Sequence, residues 1–388
     1  MRLVHLRVAN YRNFRRLDVE LPAGVSVFVG DNAQGKSNLL EAAYLLAVMR
    51  ATRAETDIQL VNRECWEDPL AVALVAGQVE MAAGPLKVEV AIVARPGPHG
   101  PSATKTAKIN GVPCRLSAAV GRMTAVLFTA EDMEMVSGPP SLRRRFVDVA
   151  LAQVDPQYAV ARTRFERVLT QRNHLLKRIR EGAARPDEIE FWDAEMARDG
   201  GFIFEKRAAG VAQLASLAAS LHESLARGET LSVRYQPHLE GDAPGAGQAA
   251  EAYAAALRRG LGRDIAAGMT LQGPHRDDIA LDLGGLAASG YASRAQQRTI
   301  ALSMRLAEAR FLTARRGEAP VLLLDDVLSE MDAGRRVSVL AALAEVEQML
   351  VTGTDWDRFP ADFVGAAARF EVVAGSIRAP AAPRTTDW

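Results

Sequence analysis

Val25-Ser26-Val27-Phe28-Val29-Gly30-Asp31-Asn32-Ala33-Gln34-Gly35-Lys36-Ser37-Asn38-Leu39-Leu40 decides how this chain folds. The first five residues form an apolar strand-like run that ends in Gly30. Gly30–Ser37 matches G-x-x-x-x-G-K-[ST] in full. Leu39, Leu40, Ala43, Leu46 and Ala47 then recur at helical spacing, so a helix is expected over 37–49. Strand, glycine turn and helix in that order make a cradle for phosphate. The backbone N–H groups of Gly30, Asp31, Asn32, Ala33, Gln34 and Gly35 face the anion, and the helix N-terminus adds positive potential. Lys36 reaches the β- and γ-phosphates, and Ser37 offers its hydroxyl to magnesium. The expected ligands are ATP and Mg2+. The competing reading is a chance match in an ordinary strand–turn–helix, which the correct flanking pattern disfavours.

Far downstream, Val321-Leu322-Leu323-Leu324 is a continuous apolar run of the kind buried in a parallel sheet. It delivers Asp325 and Asp326 at its C-terminal end, where open α/β sheets bind ligands. Asp325 is the expected magnesium carboxylate, holding the metal directly or through water. The alternative makes either one the N-cap of the next helix. Ser293-Arg294-Ala295-Gln296-Gln297-Arg298 begins 28 residues before Val321. Ser293 and Gln296 have the spacing of a capping box, S-x-x-Q, at the start of a helix over 294–316. A capped helix N-terminus is also an anion site, so the two readings are compatible.

Around these segments the chain reads as an ordinary globular protein. It has 388 residues, 48% of them hydrophobic and 24% charged, with 47 basic against 47 acidic side chains. Bulk charge therefore implies no polyanion partner; only local charge can. The two cysteines, Cys65 and Cys114, stand far apart, which excludes a disulfide scaffold or a zinc finger and fits a reducing, cytoplasmic setting. Neither a signal-peptide core nor an apolar run of about 20 residues is present, so no membrane association is expected.

Strands are expected at 3–8, 25–29, 70–80, 86–94, 279–283, 321–324, 348–352 and 369–374, and a loop at 95–104. From 140 to 227 the pattern is helical, interrupted near Gly182 and Pro186. A linker is expected over 240–248, a helix over 333–346 and a flexible tail over 379–388. The expected fold class is α/β. A P-loop ATPase domain is assembled from residues 1–110 and 265–378, with a mainly helical domain, 111–264, inserted between them. Heptads are not sustained, so no long coiled coil is expected.

These motifs resemble those of ABC-type ATPases. Asp325 and Asp326 resemble their Walker B pair, with Asp326 where that class usually carries the glutamate that activates the attacking water; the resemblance thus makes Asp326 the expected catalytic base. Asp is one methylene shorter, which implies slow hydrolysis. Leu328–Asp332 resembles the D-loop. Ser293, Arg294 and Gln296 resemble the signature that contacts ATP held by a second protomer, with Ala295 in place of glycine. A glycine position needing positive φ would strain Ala295; ordinary helical backbone there would not.

Within that class the chain resembles the RecF family of bacterial DNA-repair ATPases, to about residue 375. Five segments carry the likeness: Leu6–Arg15, the P-loop with Asn38-Leu39-Leu40-Glu41, Phe128–Asp132 with Gly138–Asp148, Gly273–Asp278, and Tyr291–Glu308. The first places Arg12 and Asn13 among the expected ATP-binding residues. The resemblance implies an ABC-type ATPase head, ATP-dependent homodimerisation, release on hydrolysis, action at gapped DNA or double-strand/single-strand junctions, and RecR and RecO as partners in recombinational repair. There are departures. At 51–54, where the family favours Ser-x-Arg-Thr, only Arg53 matches. The strand after Walker B ends Val351-Thr352-Gly353-Thr354 without the switch histidine of transporter ATPases, leaving Thr352 or Thr354 as a γ-phosphate sensor. No Q-loop glutamine is assignable. A transporter ATPase subunit would have that histidine and a shorter P-loop-to-signature gap. Another SMC-like head would show heptads, and a small-molecule kinase would lack the signature.

A local basic surplus stands out in this neutral chain. Residues 142–180 hold ten Arg or Lys against three acids. Arg143, Arg144 and Arg145 lead the segment and are the expected DNA contacts; the alternatives are a solvated helix face or a buttress of the nucleotide interface. His275 and Arg276 are read as groups that support the site from behind, as DNA contacts, or as part of a charged turn held by salt bridges.

Overall fold

The structure, a computed structural model, describes residues 1–66, 68, 71–95, 97, 100–226, 228–239, 247–327 and 346–378. The expected tail, the D-loop segment, residues 240–246 of the linker and 333–345 of the last helix lie outside the described residues.

In chain order the strands are β1 (Arg2–Tyr11), β2 (Phe14–Glu20), β3 (Gly24–Val29), β4 (Val72–Met81), β5 (Gly84–Arg95), β6 (Ser102–Ile109), β7 (Val112–Cys114), β8 (Ala125–Phe128), β9 (Leu231–Gln236), β10 (Asp278–Leu283), β11 (Leu286–Ala287), β12 (Val321–Asp325), β13 (Gln348–Gly353), β14 (Ala368–Val373) and β15 (Ser376–Arg378). The described helices include α1 (Lys36–Val48), α2 (Leu116–Ala119), α3 (Met133–Ser137), α4 (Pro140–Val154), α5 (Pro156–Arg180), α6 (Glu190–Leu225), α7 (Ala249–Ala267), α8 (Ala288–Tyr291) and α9 (Arg294–Arg316).

The chain divides into two compact units, Met1–Glu131 with Glu308–Trp388, and Asp132–Ala307. The sequence expectation had put these divisions at 110/111 and 264/265. The difference comes from strand content. β8 is an edge strand of the first unit's parallel sheet, pairing Phe128 with Leu324. β9 and β10 pair with each other inside the second unit.

The first unit holds two sheets of six strands, in the orders β2-β1-β4-β5-β6-β7 and β15-β14-β3-β13-β12-β8. The first sheet is antiparallel throughout. In the second, β14, β3, β13, β12 and β8 run parallel and only β15 is antiparallel. Helix α1 packs against strands of both sheets. Leu39, Leu40, Ala42, Ala43, Leu45, Leu46 and Ala47 are all fully buried along it. A helix that is apolar all round belongs between two layers, and its first turn is thereby fixed with little freedom.

The second unit sets helices α4 to α7 around the antiparallel sheet β11-β10-β9. The expected interruption near Gly182 and Pro186 separates α5 from α6. Leu175, Leu176, Ile179 and Ile189 form a core cluster there, joined by Trp192, Leu261 and Ile265.

Candidate active site

β3 lies between β14 and β13, with Val27 and Phe28 fully buried, and points the chain into the glycine turn. A Cβ on Gly30 would sit 2.2 Å from the carbonyl oxygen of Val372, so only glycine lets β3 and β14 approach this closely. Gly35 has φ 114°, a conformation open to glycine, and its missing Cβ would meet the Asn13 amide at 2.5 Å. Asp31, Asn32 and Ala33 are exposed on the turn, and Ser37 follows Lys36 in the first turn of α1. The turn closes round the amine: Lys36 Nζ donates to the carbonyls of Gly30 at 2.5 Å and Asp31 at 2.8 Å. Burial lowers the Lys36 pKa, and the carboxylates of Asp326, Asp325 and Asp31 oppose that shift.

Asp325 arrives at this cradle from β12. Ser37 Oγ, 288 residues away in sequence, donates to its Oδ1 at 2.9 Å. Thr352 Oγ1, from β13, donates to the same oxygen at 2.9 Å and accepts the Asp326 N–H at 3.0 Å. Arg53 Nη2 donates to the other oxygen, Oδ2, at 2.9 Å and to Glu131 Oε2 at 3.0 Å. Asp326 turns away with φ 57°, so the backbone changes direction between the two carboxylates. Of the two expected sensor threonines, Thr352 is buried inside this network, while Thr354 lies past the end of β13 and half-exposed. Ser37 and Asp325 are hard oxygen donors of the kind magnesium takes, and their direct contact fits a magnesium site.

Two turns brace the loop. Asn13 Nδ2 donates to the Gln34 carbonyl at 2.9 Å, and Asn38 Nδ2 donates to Asn13 Oδ1 at 2.8 Å. From the β14–β15 turn, Ala374 N–H donates to Gln34 Oε1 at 2.6 Å and Gly375 N–H to the Gln34 carbonyl at 3.0 Å. Arg12, expected among the ATP-binding residues, is engaged within the chain. Its Nε and Nη2 grip the buried Glu41 of α1 at 2.8 and 3.0 Å, and Nη1 donates to the Gln59 carbonyl at 3.1 Å. Burial alone would raise the Glu41 pKa, but the hydrogen bonds and charge of Arg12 outweigh it and hold the carboxyl below its usual range. Glu41 was legible only as part of a family-like ending; its partners come from loops remote in sequence.

In the second unit, the two ends of the signature segment close on each other. Ser293 N–H donates to Gln296 Oε1 at 2.8 Å, and Gln296 N–H donates to Ser293 Oγ at 3.3 Å. This is a capping box, and it leaves Ser293 and Arg294 exposed at the start of α9. Gln296 Nε2 also donates to Glu229 at 2.9 Å. Ala295 is not among the residues with positive φ, so the missing glycine costs no backbone strain.

The basic segment changes character once its partners are visible. Arg143 is buried and forks onto Asp278 at 2.8 and 2.9 Å, with Nη1 donating to the Gly138 carbonyl at 2.9 Å. Arg144 donates to the Asp277 carbonyl at 2.6 Å; Arg145 is the exposed member of the three. Arg164 pairs with Asp199, and Arg172 with Asp193 and Asp264. All of those acids lie beyond residue 180, so a count over 142–180 overstates the free charge. The surplus therefore does not make Arg143 or Arg144 a DNA contact. The two family-like segments 138–148 and 273–278 clasp each other. His275 belongs to that clasp, its Nε2 3.0 Å from the Thr270 carbonyl. Burial pushes the His275 pKa down to about 4, so it is a neutral ring at pH 7.

The family model described as RecF/RecN/SMC N terminal domain matches residues 2–359. The chain is 39% identical over 387 residues to the DNA replication and repair protein RecF of Chloroflexus aurantiacus, covering 96% of this chain and 98% of that protein. It is 39% identical over 393 residues to RecF of Roseiflexus castenholzii, covering 97% and 99%. A solved structure of the recombination mediator protein RecF-ATP, in the RecFOR pathway, superposes with a TM-score of 0.86 at 30% identity, covering 98% of this chain and 97% of that one. An Smc head, with TM-score 0.52 and 14% identity over 97% of this chain and 96% of that one, shares the fold. The fold is that of an ABC-type ATPase head with a mainly helical second part, and the chain belongs to the RecF family.

Proposed function

We propose that the chain is an ATP-dependent DNA-binding ATPase of DNA replication and repair. The observation that carries this reading is the meeting of Ser37 and Asp325 at 2.9 Å beside the phosphate turn, across 288 residues of sequence. Gly30–Gly35 present backbone N–H groups to the phosphates, and Lys36 supplies the positive charge. Magnesium, held by Ser37 and Asp325, would neutralise charge on the phosphoryl oxygens. Asp326 takes the proton of the attacking water, and Thr352 holds the turn that aims it. Ser293, with Arg294 and Gln296, completes the site from a second copy of the chain. That arrangement makes dimerisation depend on ATP and release depend on hydrolysis. DNA at gaps or junctions, and RecR and RecO as partners, are assigned from the family.

Asp326→Asn should retain ATP binding and lose turnover by about 10²–10⁴-fold, the contribution of a general base. Asparagine tolerates the positive φ at this position as well as aspartate does, so the fold is kept. Phosphate release with and without gapped DNA measures it; turnover equal to wild type removes Asp326 from the mechanism. Wild-type hydrolysis that DNA does not stimulate removes the coupling.

Ser293→Arg should leave ATP binding by isolated chains intact and abolish ATP-induced dimerisation. Because the capping box is present, that variant should also lose about 0.5–2 kcal/mol of stability. Ser293→Asp separates the two effects, since aspartate caps a helix equally well but repels the γ-phosphate. Light scattering with ATP alongside thermal melts is the measurement. Normal dimerisation of a stable Ser293→Asp protein would discard the composite site.

A further inference from the structure

The carboxylate of Asp325 is gripped at both oxygens, and the grip on the second comes from outside the motifs that surround it. Oδ1 accepts two neutral hydroxyls, Ser37 and Thr352, each at 2.9 Å. Hydroxyls rotate, and a carboxylate turned half a revolution would offer them an equivalent oxygen. Oδ2 accepts from Arg53 Nη2 at 2.9 Å, a charge-assisted bond to a carboxylate that is 6% exposed, so the two oxygens cease to be equivalent. Arg53 is itself fixed at both ends. Its backbone N–H donates to Glu41 Oε1 at 3.3 Å, the carboxylate that Arg12 clamps onto α1. Its Nη2 also donates to Glu131 at 3.0 Å. Glu131 is the last residue of the first unit before the chain leaves it at Asp132.

We infer that Arg53 is a positioning residue for Asp325, and that Glu131 acts through Arg53, so that the metal-holding carboxylate is oriented from the point where the chain exits the ATPase unit. The inference rests on the proposed nucleotide site and adds a control to it.

The test is calorimetric titration of ATP in EDTA and in Mg2+, giving for each protein the ratio by which the metal improves ATP affinity. Arg53→Gln should leave the EDTA affinity unchanged, because Lys36 and the phosphate turn are untouched. It should reduce the metal ratio by about 10- to 100-fold, the usual cost of losing a group that orients a metal ligand. The sign is diagnostic. Deleting a neighbouring positive charge favours cation binding by charge alone, so a fall in the ratio reports lost orientation. Glu131→Gln, at a side chain 54% exposed, should move the ratio in the same direction by less. The double variant should be no worse than Arg53→Gln, because Glu131 acts only through Arg53. An unchanged or increased ratio in Arg53→Gln overturns the inference, as do additive effects in the double variant. Wild type that binds no ATP overturns the nucleotide site itself. Wild type with a clear metal ratio and indifferent variants overturns only the role of Arg53.

Discussion

Lys36→Ala should lower ATP affinity by roughly a hundredfold or more, about 3 kcal/mol, the scale of a lost buried charge-assisted contact. The ammonium is the only cationic side chain within the phosphate turn, and the loop is wrapped around it through the Gly30 and Asp31 carbonyls. Those carbonyls stabilise the amine in place, so it is already where phosphate oxygens must arrive. Removing it leaves the backbone N–H groups but no compensating charge. The fold should survive. Alanine is the best helix former, and α1 is held by the apolar residues from Leu39 onward, buried between two sheets. Calorimetric titration with ATP, together with a thermal melt of the free protein, measures both halves. Near-wild-type affinity in a folded variant would show that Gly30–Ser37 does not bind the nucleotide.

The largest stability effect should come from Arg207→Ala, which should destabilise the second unit by about 3–5 kcal/mol, the cost of removing one partner from a buried ionic network. Arg207 is 4% exposed and meets two buried acids. Nε and Nη2 donate to Asp148 at 2.9 and 3.1 Å, and Nη1 donates to Asp277 at 2.7 Å and to the Pro274 carbonyl at 2.5 Å. Burial alone would raise the Asp148 pKa, but Arg207 and Arg162 hold it below its usual value. The stability this gives is present above the unfolded carboxyl value and is lost as pH falls through the lowered folded one. Burial raises the Asp277 pKa despite the opposing charge of Arg207, so Asp277 suffers most when that charge is gone. In the variant both acids should take up protons to escape burial as anions, so the deficit should be smaller at pH 5 than at pH 7. Urea unfolding at the two pH values reads this directly. A loss under about 1 kcal/mol at pH 7 would mean that the network does not hold the unit together.

This network explains why the segments 138–148 and 273–278 look alike in importance on paper and opposite in charge. Arg143 forks onto Asp278, Arg144 reaches the Asp277 carbonyl, and Asp148 and Asp277 share Arg207. A run of three arginines followed by acids is ambiguous in one dimension, because a salt bridge and a DNA contact need the same side chain. Only the folded chain shows which guanidinium groups are spent. Arg12 shows the same limit: next to a phosphate motif in a family-like segment it reads as a ligand, and only the folded chain shows that it holds Glu41.

What the amino-acid sequence determined by itself is everything governed by short-range periodicity and turn chemistry. Gly30–Ser37 between an apolar strand and a helix, the helix 294–316 with its S-x-x-Q start, and the run Val321–Leu324 ending in two aspartates are all in place. Each carries its signal within a few residues, since a glycine turn, a cap and a buried strand are local demands on the backbone. Tertiary structure alone decided which sheet a short strand joins and which charge meets which. β8 is four residues long, and it belongs to the first unit because Ala125–Phe128 finds Val321–Leu324 as a parallel partner. Ser37, Asp325, Thr352 and Arg53 converge because the first turn of α1, the C-terminal ends of the parallel strands β12 and β13 and the loop after α1 meet at one place. The physical reason is range: backbone preferences act over a few residues, whereas burial of charge is settled by partners that only the packed chain brings within hydrogen-bonding distance.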